Sequence, residues 1–142
     1  MGNALYHLEE HENAITQYNH ALRLDPGYEE AYKNSGYAHR EAGQHYGEKV
    51  GDLPKAIESL TKAIQILPDD FETNRLLGVA YGISRDDAQA IQYFKKCTQI
   101  EPTNAEAWLN LGNAYANSGD KNTGLLYQRK AQSIDPNVGR RE

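Results

Sequence analysis

The chain has little of several features that would assign it to a particular class. It contains one cysteine, which excludes an internal disulfide framework. No apolar run approaches the ~20 residues that a membrane span needs, and the first residues lack the basic segment and apolar stretch of a secretory signal. The chain has 15 basic and 20 acidic residues and a formal net charge of -5, so it lacks the basic surface that nucleic-acid binding needs. We therefore expect a soluble, cytoplasmic protein that binds neither nucleic acid nor membrane.

Proline and glycine are present in a repeating pattern. Pro68, Pro102 and Pro136 follow one another at intervals of 34 residues, whereas Pro26 precedes Pro68 by 42. Superposing the prolines also aligns three sets of small residues: Gly2, Gly36, Gly78 and Gly112; Ala14, Ala56, Ala90 and Gly124; Ala21, Ala63, Cys97 and Ala131. Such self-similarity predicts a stacked array of repeats, which typically provides a binding surface. The position of Cys97 indicates a packing residue and not a reactive thiol.

Residues 105–136 show the repeat most completely. Apolar residues at spacings of three and four predict an amphipathic helix from Ala105. Gly119 can then adopt the left-handed conformation that ends a helix, and Asp120 can cap the next one. Pro136 cannot continue a helix, so the second helix is predicted to end at Ile134.

These residues resemble the signature of the tetratricopeptide repeat (TPR) family. The matching positions are Trp108, Leu111, Gly112, Tyr115, Ala131 and Pro136 in the last repeat, and Leu77, Gly78, Tyr81, Ala90, Phe94 and Pro102 in the one before. The resemblance implies an all-α fold, an α-α superhelix (TPR solenoid) of antiparallel helix pairs. It also implies a protein-binding scaffold with no catalytic residues and no cofactor.

We expect a single array over residues 1–138, followed by a tail at 139–142. The array divides into a partial repeat 1–28, a long repeat 29–70, and repeats 71–104 and 105–138. The first repeat retains only the end of its first helix, to about Leu8, and the repeat register places an inter-helix turn within residues 7–11. The chain is therefore expected to be cut from a longer protein or to dock its open ends on another copy.

The long repeat has eight more residues than its neighbours. Gly51 and Asp52 reproduce the turn seen at Gly119 and Asp120, so the additional residues come before that turn. We expect them to form a protruding extension of the first helix, with a loosely ordered loop as the alternative.

In TPR arrays the first helix of each repeat lines a concave groove. The positions facing it by spacing include the candidate peptide-binding residues Tyr6, Lys33, Asn34, Tyr37, Arg40, Arg75, Asn110 and Asn113. The family's dicarboxylate clamp is incomplete, because Tyr37 and Asn110 replace an asparagine and an arginine. Asparagine side chains can bond the donor and the acceptor of a peptide backbone. The alternative, that these are only solvated polar residues, stays open.

A weak basic patch of Lys33, Arg40 and Arg75 favours an acidic or C-terminal segment as the partner. No metal site is expected: His7 and His11 are four residues apart, but the predicted turn separates them and the zinc-protease order is absent. The leading hypothesis is a non-enzymatic scaffold that holds a peptide or partner segment in the groove. The alternatives are a structural module that self-assembles through uncapped ends, and a regulatory or substrate-selecting arm of a larger enzyme.

Overall fold

A computed structural model describes residues 2–25 and 27–140, with the backbone alone at residues 2–9, 11 and 22. These residues form seven α-helices and no strand. The helices are α1 (Gly2–Leu24), α2 (Glu29–His45), α3 (Leu53–Ile66), α4 (Phe71–Ile83), α5 (Asp87–Ile100), α6 (Ala105–Asn117) and α7 (Lys121–Ile134), and a π-helix (Tyr46–Val50) follows α2 directly. The fold is an all-α helical repeat solenoid, as predicted. Among the described helices, none is long and apolar enough to cross a membrane.

The chain divides into two compact units, unit 1 (Met1–Thr73) and unit 2 (Asn74–Glu142). In unit 1, α2 packs against both α1 and α3, and in unit 2, α6 packs against both α5 and α7. Large apolar side chains at these contacts are fully buried, among them Leu60 in unit 1 and Leu77 and Leu111 in unit 2. Each unit therefore contains its own buried core.

Three helices begin with the same capped turn. The carboxylates of Asp52, Asp86 and Asp120 accept the backbone N–H of the residue three positions later, at 3.1, 3.3 and 3.1 Å. The residue before each aspartate has a positive φ: 77° at Gly51, 66° at Arg85 and 102° at Gly119. The predicted turn at Gly119 and Asp120 is thus confirmed, and Arg85 adopts the same conformation without being glycine.

The turn predicted within residues 7–11 is wrong, because α1 is one continuous helix from Gly2 to Leu24. Glu9 and Glu10 occupy the positions that Gly119 and Asp120 hold in the last repeat. Glutamate is a good helix former and has no tendency towards the left-handed conformation, so nothing in this segment ends the helix. The first repeat is therefore one long helix and not a helix pair.

Glycines set the closest approach within each helix pair. A Cβ atom added at Gly78 would lie 2.6 Å from Phe94 Cε1, and one at Gly112 would lie 2.8 Å from the carbonyl oxygen of Gly124. In unit 1 the equivalent contact belongs to Gly43, where a Cβ atom would lie 2.6 Å from Leu60 Cγ. The superposition of prolines in the sequence aligns Gly36, and not Gly43, with Gly78 and Gly112. In the structure, Gly36 lies against Ile66, at the C-terminal end of α3.

A backbone hydrogen bond fixes the same equivalence. The carbonyl oxygens of Tyr81 and Tyr115 accept the N–H of Asp86 and Asp120, five residues later, at 2.9 and 3.0 Å. Tyr46 accepts the N–H of Asp52, six residues later, at 2.8 Å. One additional residue therefore lies in the π-helix, as expected of a local insertion into an α-helix. The other seven of the eight additional residues of the long repeat lie before Gly43, where they lengthen α2 by nearly two α-helical turns.

Candidate functional site

Unit 1 has a cleft of about 330 Å³ between α1 and α2. We call it the unit 1 cleft. Its lining residues are Glu10, Ala14 and Tyr18 of α1 and Asn34, Tyr37, Ala38 and Glu41 of α2. The lining combines a small apolar floor with aromatic, amide and carboxylate side chains.

Unit 2 has a cleft of about 310 Å³, the unit 2 cleft. It is lined by Gly78, Val79, Gly82 and Ile83 of α4, Asp87, Ala90 and Phe94 of α5, and Asn110, Asn113, Ala114 and Asn117 of α6. Among the described residues, the lining of the unit 2 cleft comes from three helices and that of the unit 1 cleft from two.

The two clefts are the same feature of the repeat. Six residues that line the unit 1 cleft have a counterpart 76 residues later that lines the unit 2 cleft. The pairs are Ala14 and Ala90, Tyr18 and Phe94, Asn34 and Asn110, Tyr37 and Asn113, Ala38 and Ala114, and Glu41 and Asn117. The floor and the first asparagine are identical in the two clefts, whereas the outer positions differ.

Four of the candidate peptide-binding residues lie in these clefts. Asn34 and Tyr37 belong to the unit 1 cleft, and Asn110 and Asn113 to the unit 2 cleft. Gln128 Nε2 donates a hydrogen bond of 3.0 Å to Asn113 Oδ1. Because this bond uses the amide oxygen, the Asn113 amide group is oriented with its N–H₂ available to a ligand carbonyl.

Of the other candidate residues, Lys33, Arg40 and Arg75 are not among the described lining residues of either cleft. Lys33 is exposed on α2 and Arg75 is half-buried on α4. The side chain of Tyr6 lies outside the described residues, as do those of His7 and His11. The backbone around the two histidines is helical, so no turn separates them, in contrast to the prediction. Across the described side chains, no group of three or more His, Cys, Asp or Glu is placed to hold a metal ion.

Arg40 is engaged within unit 1. Its Nη1 lies 3.1 Å from Asp70 Oδ2, and its guanidinium carbon lies 5.1 Å from the centre of the Tyr37 ring. Asp70 also accepts the N–H of Thr73 at 3.0 Å, at the start of α4. Burial of Asp70 opposes ionisation, but hydrogen bonds from Thr73 and Arg40 outweigh it and hold the pKa of this carboxyl below its ordinary value. The charge of Arg40 is therefore compensated inside the fold.

The charges that line the clefts are negative. Glu10 and Glu41 line the unit 1 cleft and Asp87 lines the unit 2 cleft. Neither described lining includes a lysine, an arginine or a histidine. Lys33, Arg40 and Arg75, the basic residues proposed from the sequence, thus do not contribute to either described lining.

Unit 1 has a third cleft, of about 480 Å³, which Tyr46 and Ser59 line. Unit 2 has pairs of aromatic rings at the matching positions. In unit 2, Tyr81 stacks on Tyr93 with ring centroids 5.7 Å apart, and Tyr115 meets Tyr127 at 5.6 Å. The residue matching Tyr93 and Tyr127 in unit 1 is Ser59, which has no ring to offer Tyr46. We call the resulting space the Tyr46 cleft.

Tyr46 is instead held by polar contacts. Its hydroxyl donates to Glu12 Oε1 at 2.8 Å, and Lys55 Nζ lies 5.5 Å from the ring centre. The hydrogen bond to Glu12, followed by burial and nearby carboxylates, raises the pKa of Tyr46 to about 12. These contacts join the π-helix to α1 and α3. His39, also in this cleft, has its pKa lowered by burial and by the positive charge of Lys62.

Four lining residues are not among the binding residues predicted from the sequence: Glu10, Tyr18 and Glu41 in unit 1, and Phe94 in unit 2. A usable signal was present: Ala14 and Tyr18 repeat as Ala90 and Phe94 at the same spacing as Asn34 and Asn110. Likewise, Gly43 and Tyr46 repeat the spacing of Gly78 and Tyr81.

Comparison with known proteins agrees with the repeat pattern. A family model described as "TPR repeat" matches residues 2–43, and two described as "Tetratricopeptide repeat" match residues 75–104 and 93–126. No curated protein matches the sequence.

Several solved structures share the fold. A structure of MamA is 19% identical with a TM-score of 0.66, covering 100% of this chain and 97% of that chain. The N-terminal domain of stress-induced protein-1 (STI-1) from C. elegans is 20% identical with a TM-score of 0.67, covering 74% and 87%. YrrB, a TPR protein with an unusual peptide-binding site, is 23% identical with a TM-score of 0.61, covering 96% and 84%.

Proposed function

Because the chain belongs to the tetratricopeptide repeat family of protein-interaction scaffolds, we propose that its unit 1 cleft and unit 2 cleft bind extended segments of a partner protein. The observation that carries the proposal is the recurrence of one lining plan. Both clefts place an asparagine beside a floor of two alanines: Asn34 in one and Asn110 in the other.

This lining suits a peptide backbone better than a small polar molecule. An asparagine amide donates and accepts at once, so it can pair with the N–H and the C=O of one residue of an extended peptide whatever the side chain of that residue is. Alanines leave room for the backbone to approach. Tyr37 in unit 1, which is 41% exposed, offers ring surface to ligand side chains. YrrB, which has a similar fold, has a peptide-binding site, and this supports the proposal.

Because the lining of the clefts is negatively charged, we propose a different charge for the ligand than the one expected from the sequence. The sequence suggested an acidic or C-terminal segment, on the basis of Lys33, Arg40 and Arg75. Arg40 is compensated by Asp70, and the charged groups that line the clefts are carboxylates. We therefore propose a segment without net negative charge, since like charges at an interface oppose binding.

The test starts from peptides selected against the whole chain. A display library of random dodecapeptides would supply ligands, and fluorescence anisotropy would measure their affinity for the variant Asn34→Ala/Asn110→Ala. Loss of at least two backbone hydrogen bonds, at about 0.5–1.5 kcal/mol each, should weaken binding about fivefold or more. The matched control is Asn19→Ala/Asn122→Ala, which removes one exposed asparagine from each unit outside both clefts. Equal affinity of both variants, or no selected peptide at all, would overturn the proposal.

Self-association stays a prediction. Leu125 and Leu126 on α7 are 45% and 63% exposed, so this helix has apolar surface for a second copy. A mass that rises with protein concentration in sedimentation would support it, and a constant monomer mass would exclude it.

A further inference from the structure

The unit 1 cleft differs from the unit 2 cleft in charge and in aromatic content. Where unit 2 has Asn117 and Asn113, unit 1 has Glu41 and Tyr37. Tyr18 takes the place of Phe94, and Glu10 adds a carboxylate from α1. The cleft thus has two tyrosines and two carboxylates around a floor of Ala14 and Ala38.

We infer that the unit 1 cleft recognises a lysine or arginine side chain of the bound peptide, an inference that rests on the proposed function. A long basic side chain has an apolar stem and a charged head. The stem can lie on the alanine floor, and the head can lie between carboxylates that come from α1 and α2. A tyrosine face adds attraction to a cation.

The structure offers an internal precedent for this chemistry. The guanidinium of Arg40 already lies 5.1 Å from the centre of the Tyr37 ring, yet that ring is 41% exposed. Arg40 is not itself a ligand of the cleft carboxylates, because its charge is paired with Asp70 at 3.1 Å. Glu10 and Glu41 take part in interactions within the chain, and a bound cation would share them.

An acidic ligand side chain does not fit the same lining. It would meet two carboxylates with no lysine, arginine or histidine among the described lining residues. A neutral side chain would fill the space but would bring no positive charge to share with the carboxylates. Charge complementarity therefore selects a basic residue at one position of the peptide.

The experiment compares peptides that differ at one position. Peptides selected against the wild-type chain should be enriched in Lys or Arg at one site, and replacing that residue by Gln should weaken binding about tenfold in anisotropy titrations. With the variant Glu10→Gln/Glu41→Gln, the difference between the two peptides should fall below about twofold. The control Glu29→Gln/Glu48→Gln makes the same change in net charge on exposed residues outside the lining, and it should keep the preference.

A transplant tests the same inference in the other direction. Asn117→Glu places a carboxylate at the unit 2 position that matches Glu41, and peptides selected against it should show a second enriched basic position. Circular dichroism would verify that each variant is folded. Selected peptides that bind through Asn34 and Asn110 but show no basic preference would overturn this inference and leave the proposed function intact. Failure to select any peptide, or binding that is unchanged when both asparagines are replaced, would contradict the proposed function as well as this inference.

Discussion

The helix pair α2–α3 in unit 1 and the pair α6–α7 in unit 2 share their backbone contacts and differ in their side-chain contacts. Each pair has a glycine at the crossing, Gly43 or Gly112, and a tyrosine three residues later whose carbonyl accepts the N–H of the capping aspartate. In unit 2, Tyr115 also meets Tyr127, whereas in unit 1, Tyr46 faces Ser59 and bonds to Glu12 instead. The comparison teaches that the glycine and the cap are common to both helix pairs, whereas the ring contact is particular to unit 2.

The largest effect should come from removing the ring in unit 2. Tyr127 packs against both Trp108 and Tyr115, with centroids 5.6 Å apart in each case. Tyr127→Ala should lower the free energy of unfolding by about 3 kcal/mol, because an aromatic side chain is lost from a packed cluster. Ser59→Ala, at the matching position of unit 1, should change it by less than about 0.5 kcal/mol. Urea denaturation of both variants measures the difference, and equal effects would remove the distinction between the pairs.

The next effect concerns the glycine at the crossing of α2 and α3. Gly43→Ala should destabilise the protein by about 1–3 kcal/mol, since its Cβ would clash with Leu60. Gly47, in the π-helix that follows α2, is the control, because a Cβ there would lie 3.6 Å from the Ala56 Cβ, an ordinary contact. Gly47→Ala should therefore stabilise the protein by up to about 1 kcal/mol through helix propensity. The thermal unfolding temperature should fall for Gly43→Ala and rise for Gly47→Ala. Shifts of the same sign would contradict the assignment of the closest helix contact to Gly43.

A ring added to unit 1 should make the two pairs more alike. Ser59→Tyr would bring a ring into the Tyr46 cleft, which has room for it at about 480 Å³. A pair with Tyr46 should stabilise the protein by about 1 kcal/mol, as aromatic pairs do elsewhere. The midpoint of urea denaturation checks this expectation. A destabilised variant would mean that the π-helix orients Tyr46 so that no such pair can form.

The smallest effect should come from the hydroxyl of Tyr46. Tyr46→Phe removes the bond to Glu12 and should cost about 0.5 kcal/mol at neutral pH, since the bond is partly exposed. The pKa of this hydroxyl is raised from 10.0 to about 12 in the folded chain, so its contribution is fully present below pH 10 and is lost as the pH rises through 12. Stability of the wild type and the variant should therefore differ by a constant amount from pH 7 to 9 and converge above pH 10. If the difference in stability between the wild type and the variant instead increased with pH, the protonated Tyr46 hydroxyl would not be the stabilising group.

Much of the fold follows from glycine, aspartate and proline in the sequence. These residues end helices or cap them through local backbone chemistry, so the turn at Gly119 and Asp120 and the end of α7 at Ile134 were predictable. The continuity of α1 was not recognised, although Glu9 in place of a glycine is a readable local signal. The π-helix escaped prediction because one inserted residue changes the hydrogen-bond register without changing the composition.

The candidate site was predictable only in part. Spacing along α2 and α6 identified Asn34 and Asn110, since residues on one helix face follow from periodicity. The facing residues Glu10 and Tyr18 come from another helix, and their approach depends on packing that no single helix encodes. The partner of Arg40 was not predictable for the same reason, because Asp70 is 30 residues away in sequence.

The most direct test of the account maps where a peptide binds. Backbone amide chemical shifts of the whole chain would be recorded while the tightest selected dodecapeptide is added. The account predicts that shifts concentrate on the paired lining residues of the two clefts, with Ala38 and Ala114 among them. Shifts confined to the Tyr46 cleft or to the exposed face of α7 around Leu126, with both alanines unchanged, would contradict it.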